Sequence, residues 1–140
     1  PRLTLGAAQA RLVAGKLGKT EGPARTHSPM TVFDLQFGEH GRSEFSLPAG
    51  FNTLAFALEG EVRIGSREQR PLVPGHLAVL EREDDGPIQL HGESGARVLL
   101  LSGEPLNEPV ASHGPFVMNT RDELIQAVQD YQSGKMGHLL

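Results

Sequence analysis

The sequence has no cysteine among its 140 residues, so disulfides and thiolate metal sites are excluded and a metal would need histidine and carboxylate ligands. No apolar run approaches the roughly 18 residues that a membrane span requires, and the first residues lack the charged and apolar regions of a signal peptide. The formal net charge is −4 without a long basic run, which argues against direct nucleic-acid binding. We therefore expect a soluble, cytoplasmic protein.

Short alternations of apolar and polar residues recur along the chain and predict an all-β fold. In residues 31–37, Phe33, Leu35 and Phe37 alternate with polar residues, so we expect one face of that strand to face the core and the other to face solvent. In residues 53–58, large apolar side chains alternate with small ones, and we expect both faces to be covered. Further strands are predicted at residues 11–14, 43–47, 61–64, 76–80, 88–91 and, centrally placed, 98–101.

About nine strands joined by short turns predict a jelly-roll that forms a single domain. One helix closes it. Thr120 and Glu123 have the spacing of a capping box, and Gly134 supplies the stop, so the helix is predicted over residues 120–134. An apolar stripe of Leu124, Ile125, Val128 and Tyr131 is expected to pack on the domain's own sheet. Docking of that stripe onto a partner domain is the alternative.

Three stretches between the last predicted strand and the C-terminus form an unusual signature. They are Gly-Glu-Pro-Leu-Asn-Glu-Pro-Val at 103–110, His-Gly-Pro-Phe-Val-Met-Asn-Thr at 113–120, and Asp-Tyr-Gln-Ser-Gly at 130–134. Together they resemble the C-terminal cupin domain of the pirin family. The resemblance implies one cupin-type double-stranded β-helix over residues 1–140, with a β-sandwich at about 1–102, a signature loop at 103–119 and the C-terminal helix.

Pirins have two cupins, and the resemblance implies that iron is held by three histidines and a glutamate in an N-terminal cupin that is absent here. In such a metal site, His-x-His precedes a Gly-aromatic-x-Thr strand. The corresponding positions in this chain are Ser46 and Pro48, and neither can replace an imidazole. His91 and Glu93 have the spacing of a second ligand pair, but two ligands are too few for a site and a polar turn is the preferred interpretation. We predict no metal and no catalytic residue in this chain.

The remaining polar residues show no catalytic constellation. The histidines outside the signature are expected to be solvated or capping residues, and no Gly-x-Ser-x-Gly elbow is present. Glu104 and Glu108 precede prolines and are expected to organise the connection by accepting amide hydrogen bonds. Four acidic residues cluster in one predicted turn: Glu81, Glu83, Asp84 and Asp85. We expect this cluster, the acidic crowd, to be a solvent-exposed edge, with an adventitious cation site as the minor alternative.

Three functions remain open. The first is a metal-free cupin with a structural, binding or regulatory role that supports a metal-bearing N-terminal cupin, a second copy of itself or another protein. Its interface would be the signature: His113, Gly114, Pro115, Phe116, Val117, Met118, Asn119 and Thr120.

The second function is an iron-dependent oxygenase similar to quercetin 2,3-dioxygenase, chiefly in a full-length two-cupin form. The third is a barrel whose mouth binds a small apolar molecule without catalysis, lined by Phe51, Phe56 and Leu58. For the first function, Phe116, Val117 and Met118 form either an interface anchor or a staple that fixes the helix to the sheet.

Overall fold

The computed structural model describes residues 1–81 and 86–137. Most of the acidic crowd (Glu83, Asp84 and Asp85) and His138 lie outside these residues, so the expectations for them stay predictions. The chain divides into two compact units, Pro1–Pro105 and Leu106–Leu140. This boundary falls close to the predicted end of the β-sandwich. No helix in the described part of the chain has the length and apolar character needed to cross a membrane.

The first unit is an antiparallel jelly-roll of two main sheets. A six-stranded sheet has the order β1-β2-β5-β12-β7-β10, a four-stranded sheet has the order β6-β11-β8-β9, and β3 and β4 form a small ribbon. The strands are β1 (Arg2–Leu5), β2 (Ala8–Ala14), β3 (Lys16–Leu17), β4 (Thr20–Glu21), β5 (Met30–Phe37), β6 (Gly41–Phe45), β7 (Asn52–Glu59), β8 (Val62–Ile64), β9 (Arg70–Leu72), β10 (Leu77–Leu80), β11 (Ile88–Gly92) and β12 (Arg97–Gly103).

The space between the two sheets is filled by large apolar side chains. Phe33, Leu35 and Phe37 are completely buried, which confirms the alternation predicted for β5. The ring of Phe33 meets that of Phe45 edge to face, with centroids 5.0 Å apart, an arrangement that aromatic pairs favour. Strand β12 lies between β5 and β7, so the predicted central position of the run at 98–101 is confirmed.

Strand β7 faces the core with its small residues. Thr53, Ala55 and Ala57 are fully buried, whereas Leu58 is 38% exposed and Leu54 and Phe56 are only partly buried. The reason is that the interior opposite this strand is occupied by phenylalanine and leucine side chains from other strands, so only short side chains fit there. The expected cover over both faces of β7 is therefore incomplete on the side that carries the large residues.

The second unit consists of a short hairpin and the C-terminal helix. Strands β13 (Ala111–His113) and β14 (Phe116–Met118) pair antiparallel, and α1 (Arg121–Gln132) follows. The segment expected as a loop at 103–119 thus contains a hairpin. Thr120 is the N-cap and Ser133 the C-cap of the helix, so both ends lie within two residues of the prediction. Gly134 has a φ of 76°, the left-handed conformation that glycine adopts readily after a helix.

Candidate partner-binding surfaces

The signature residues build the hairpin and its junction with the helix. His113 pairs with Phe116 across the turn, which is made by Gly114 and Pro115. Gly114 has a φ of 55°, a left-handed conformation that a glycine adopts without steric cost. The turn therefore explains why this part of the signature contains glycine.

Asn119 ties the start of the helix to the connection that precedes the hairpin. Its side-chain amide donates to the Glu108 carboxylate at 3.0 Å and to the Pro109 carbonyl at 2.9 Å. The expected organising role of Glu108 is confirmed by this bond. The backbone N–H of Glu104 donates to the Pro29 carbonyl at 3.0 Å, and the organising role expected of its carboxylate stays a prediction.

The predicted capping box is present. The Glu123 backbone N–H donates to the Thr120 hydroxyl at 3.3 Å, and the Glu123 carboxylate accepts from the backbone N–H groups of Thr120 and Asn119 at 2.9 and 3.0 Å. These bonds, chiefly the one from the Thr120 backbone, lower the pKa of Glu123 below its ordinary value of 4.5. At the other helix end, the bond from Lys135 and then that from Gln126 lower the pKa of Asp130.

A consequence is that helix stability depends on pH. Because the folded-state pKa of Glu123 is depressed, its contribution is fully present above about pH 4.5 and is lost as the pH falls through the lower folded value. Circular dichroism should show α1 fraying over this acidic range. A Glu123→Gln variant keeps a capping-box residue without the titration, so its helix signal should lose the part of the pH dependence that Glu123 causes and keep the part that Asp130 causes. An unchanged acid profile in the variant would contradict this role.

Phe116 and Val117 have separate roles in this unit. Phe116 is partly buried and packs edge to face against Tyr131, with ring centroids 6.1 Å apart. Val117 points the other way and is 63% exposed. The ring contact favours the staple interpretation for Phe116, and the exposure of Val117 leaves it available to a partner.

Beside the hairpin, helix α1 and strand β13 border a mainly apolar groove with a volume of about 710 Å³. Leu124 and Ala127 are buried on the helix, whereas Ile125 is 51% exposed. The groove is open to a partner side chain or helix. Its lining residues are Ala111, Ser112, His113, Arg121, Leu124, Ile125, Val128 and Gln129.

A second apolar surface covers part of the outer face of the six-stranded sheet. The pairing register places Phe56 between Leu77 and Leu99, and Leu54 between Val79 and Leu101. Leu77 is 53% exposed and Val79 68%. Exposed apolar side chains that adjoin one another, rather than lying scattered, mark interaction surfaces. We call this the outer apolar patch: Leu54, Phe56, Leu77, Val79, Leu99 and Leu101.

The positions at which the family resemblance implies two histidine ligands, Ser46 and Pro48, carry no imidazole in this chain. Ser46 and Pro48 are exposed, while Leu47 between them is buried. His91 lies in the four-stranded sheet on the face opposite the buried Leu90, directly between Arg42 and Arg63, which form ion pairs with Glu44 and Glu61. Across residues 1–81 and 86–137, no three His, Cys, Asp or Glu side chains form a metal-binding group. His91 lies near the end of β11, as the predicted strand at 88–91 requires, and Glu93 follows the strand just before a turn at residues 94–95.

The barrel interior is filled, but a hollow of about 310 Å³ lies at one end of the first unit. Phe51, Met30 and Pro48 contribute to its lining. Phe56 and Leu58, which were expected to line the mouth together with Phe51, do not contribute, because β7 directs its small residues inward. The expected three-residue lining of the mouth is therefore wrong for two of its members.

The six-stranded and four-stranded antiparallel sheets enclose one filled core, and their strand orders define the protein as a cupin-type jelly-roll. The chain belongs to the pirin family, because the family model of the pirin C-terminal cupin domain matches residues 32–137. Human pirin is 31% identical over 127 residues, which cover 90% of this chain and 44% of that protein. A Pseudomonas aeruginosa protein provisionally named a quercetin 2,3-dioxygenase is 37% identical over 129 residues, or 92% of this chain and 44% of that protein.

A solved structure shows the same relationship. The crystal structure of quercetin 2,3-dioxygenase from Acinetobacter baumannii superposes with a TM-score of 0.86 and 32% identity, over 100% of this chain and 48% of that one. The chain thus spans about half the length of the relatives that it matches.

The outer apolar patch was not predicted from the sequence. Its signal was present in the large residues Leu54 and Phe56, which alternate with small ones, but that pattern does not reveal which set faces inward. Leu77 and Val79 were included in a predicted strand without their exposure being recognised. Their position opposite Phe56 and Leu54 depends on the pairing register, which is set by turns distant in sequence.

Proposed function

We propose that this chain is a metal-free cupin module that binds and supports a second cupin domain, either the metal-bearing part of a longer pirin-family protein or a second copy of itself. The observation that carries the proposal is the outer apolar patch, with Leu77 and Val79 more than half exposed. Covering such side chains removes apolar surface from water, which is the main driving force for association. The relatives' greater length supports a partner domain in the same chain.

The second unit supports the same proposal. Its exposed apolar side chains are numerous for so small a unit, and they leave a large apolar area for a partner to cover. Val117 belongs to the signature, and Ile125 borders the groove of α1. The side chains exposed by half or more are Leu106, Val110, Val117, Ile125, Tyr131 and Met136.

An oxygenase activity is a candidate for a full-length two-cupin protein, and the names of the relatives favour it. Iron, which the family implies, does not fit the donors described for this chain, because Ser46 and Pro48 offer no imidazole and no three His, Cys, Asp or Glu side chains in residues 1–81 and 86–137 form a metal-binding group. We assign any such chemistry to the other cupin. The contribution of this chain would be to hold that cupin in its folded, active arrangement.

The proposal predicts that the isolated chain self-associates through the outer apolar patch. A Leu77→Lys/Val79→Lys double variant should weaken the association by at least about 100-fold, because it places unpaired charges in the contact. Sedimentation velocity over a range of protein concentrations measures this. Val73→Lys is the control for a single added lysine, since Val73 is 38% exposed and lies between β9 and the turn at residues 74–75.

A chain that stays monomeric at the highest soluble concentration would contradict self-association through this patch. An equal loss of association in Val73→Lys would show that the added charge, rather than the patch, is responsible. Circular dichroism on each variant confirms that the fold is retained.

A further inference from the structure

Three arginines surround a small hollow on the outer face of the six-stranded sheet, at the end away from β10. The hollow has a volume of about 230 Å³. The pairing register places Arg2 directly opposite Arg11, and Arg11 directly opposite Asp34. The third arginine, Arg97, lies opposite Gln36. The side chains around the hollow carry three guanidinium groups and one carboxylate, a net charge of +2.

The single carboxylate is already occupied. Arg97 donates two hydrogen bonds to the two oxygens of Asp34, at 2.9 and 2.8 Å, and it also lies 3.5 Å from Glu59. The bond to Asp34 is the main cause of the raised pKa of Arg97. Arg11 reaches the same carboxylate only at 3.8 Å. Within the described part of the chain, no ion pair involves Arg2. Among the described residues, Arg2 therefore faces the hollow without a carboxylate, and Arg11 only shares the Asp34 carboxylate that Arg97 holds.

This arrangement is unfavourable for the free protein. Like charges directly opposite each other in an antiparallel pair destabilise it, and the pair of Arg2 and Arg11 is such a case. The chain as a whole is acidic, with 17 Asp and Glu against 13 Lys and Arg, so the positive charge here is local. A bound anion would convert the repulsion into two charge-assisted interactions.

We propose that Arg2 and Arg11 bind a small oxyanion, a phosphate or a carboxylate, in this hollow. Guanidinium groups match the planar oxygen pairs of both anions. Arg97 and Asp34 form the fixed floor of the site, and the side-chain amides of Gln9 and Gln36 supply further polar groups at its edge. Gln9 is held by a hydrogen bond from its amide to the Thr4 hydroxyl at 2.8 Å. The site is independent of the proposed contact with a second cupin.

The test is a titration of the full chain with inorganic phosphate, and separately with succinate, at constant ionic strength. Binding is followed by calorimetry and by the shift in Tm, since a ligand that binds only the folded state raises Tm. We expect saturable binding of at least one anion. Arg2→Gln and Arg11→Gln should each weaken it by at least about tenfold. The Tm of the free Arg2→Gln variant should equal that of the original chain or rise because the repulsion is relieved, whereas Arg11→Gln also loses the ion pair with Asp34.

Arg63→Gln is the control matched in charge, because Arg63 lies in the four-stranded sheet and pairs with Glu61 at 3.3 Å. It should bind the anion as the original chain does. The proposal would be overturned by the absence of saturable binding to both anions. Equal weakening in Arg63→Gln, or unchanged binding in both the Arg2 and Arg11 variants, would overturn it as well.

Discussion

Replacing Phe33 by alanine is expected to lower the free energy of unfolding by about 3–5 kcal/mol. Phe33 is completely buried and its ring packs edge to face on Phe45. Removing the ring deletes buried apolar surface and leaves a cavity in a core that is otherwise filled by large side chains. Urea denaturation of the two proteins measures the difference.

Phe56→Ala is the matched control, because Phe56 lies on the outer face of the same sheet and is only partly buried. Its free energy of unfolding should fall by clearly less than that of Phe33→Ala. Its self-association should weaken instead, because Phe56 belongs to the outer apolar patch. Equal destabilisation by the two substitutions would contradict the assignment of inner and outer faces.

Phe33→Ala also tests the small-molecule alternative. An apolar cavity in a protein core can stay dry and bind benzene or xenon. The variant should therefore bind such a probe more tightly than the original chain, whose core is filled. Binding of benzene by the original chain with an affinity equal to that of the variant would favour a ligand-binding barrel over the proposed module.

Replacing Gly92 by alanine is expected to cost about 1–3 kcal/mol, the usual range for overpacking a core. Gly92 is buried at the end of β11, and an added Cβ would collide with ring carbons of Phe37. The ring cannot retreat easily, because Phe37 is itself completely buried. Thermal and urea unfolding report the loss.

Gly38→Ala is the control, because a Cβ at Gly38 would meet no atom within 4 Å. Its stability should stay the same or rise slightly, since alanine restricts the unfolded chain more than glycine does. The comparison bears on function, because Gly92 separates His91 from Glu93, the pair with the spacing of metal ligands. An unchanged stability of Gly92→Ala would contradict the close packing of Gly92 on the Phe37 ring.

Local patterns allowed much of the fold to be predicted. The alternation around Phe33 identified a strand with one buried face, and the spacing of Thr120 and Glu123 identified the start of the helix. Both features depend on residues within a few positions of each other. The family signature then specified the jelly-roll, which the topology confirms.

The features that were missed depend on long-range packing. Thr53, Ala55 and Ala57 face inward because the space opposite is filled by side chains from distant strands. The residues of β7 alone do not indicate which of its faces meets that space. The hairpin formed by β13 and β14 was missed because strands of three residues are too short for an alternation to be recognised.

The candidate surfaces were predicted less completely than the fold. His113 to Thr120 were predicted as an interface, and the structure places His113 beside the groove and Val117 on the surface. The pairing of Arg2 with Arg11 depends on the register between β1 and β2. That register could not be predicted, because β1 was not among the predicted strands.

The most direct test of the central claim, that this chain is a metal-free module, is elemental analysis before and after incubation with ferrous iron under reducing conditions. The account predicts less than about one tenth of an equivalent of iron per chain, because the described residues lack the three or more protein ligands that such sites use. Iron bound near one equivalent would contradict the account, since His91, Glu93 and further donors would then have to form a site.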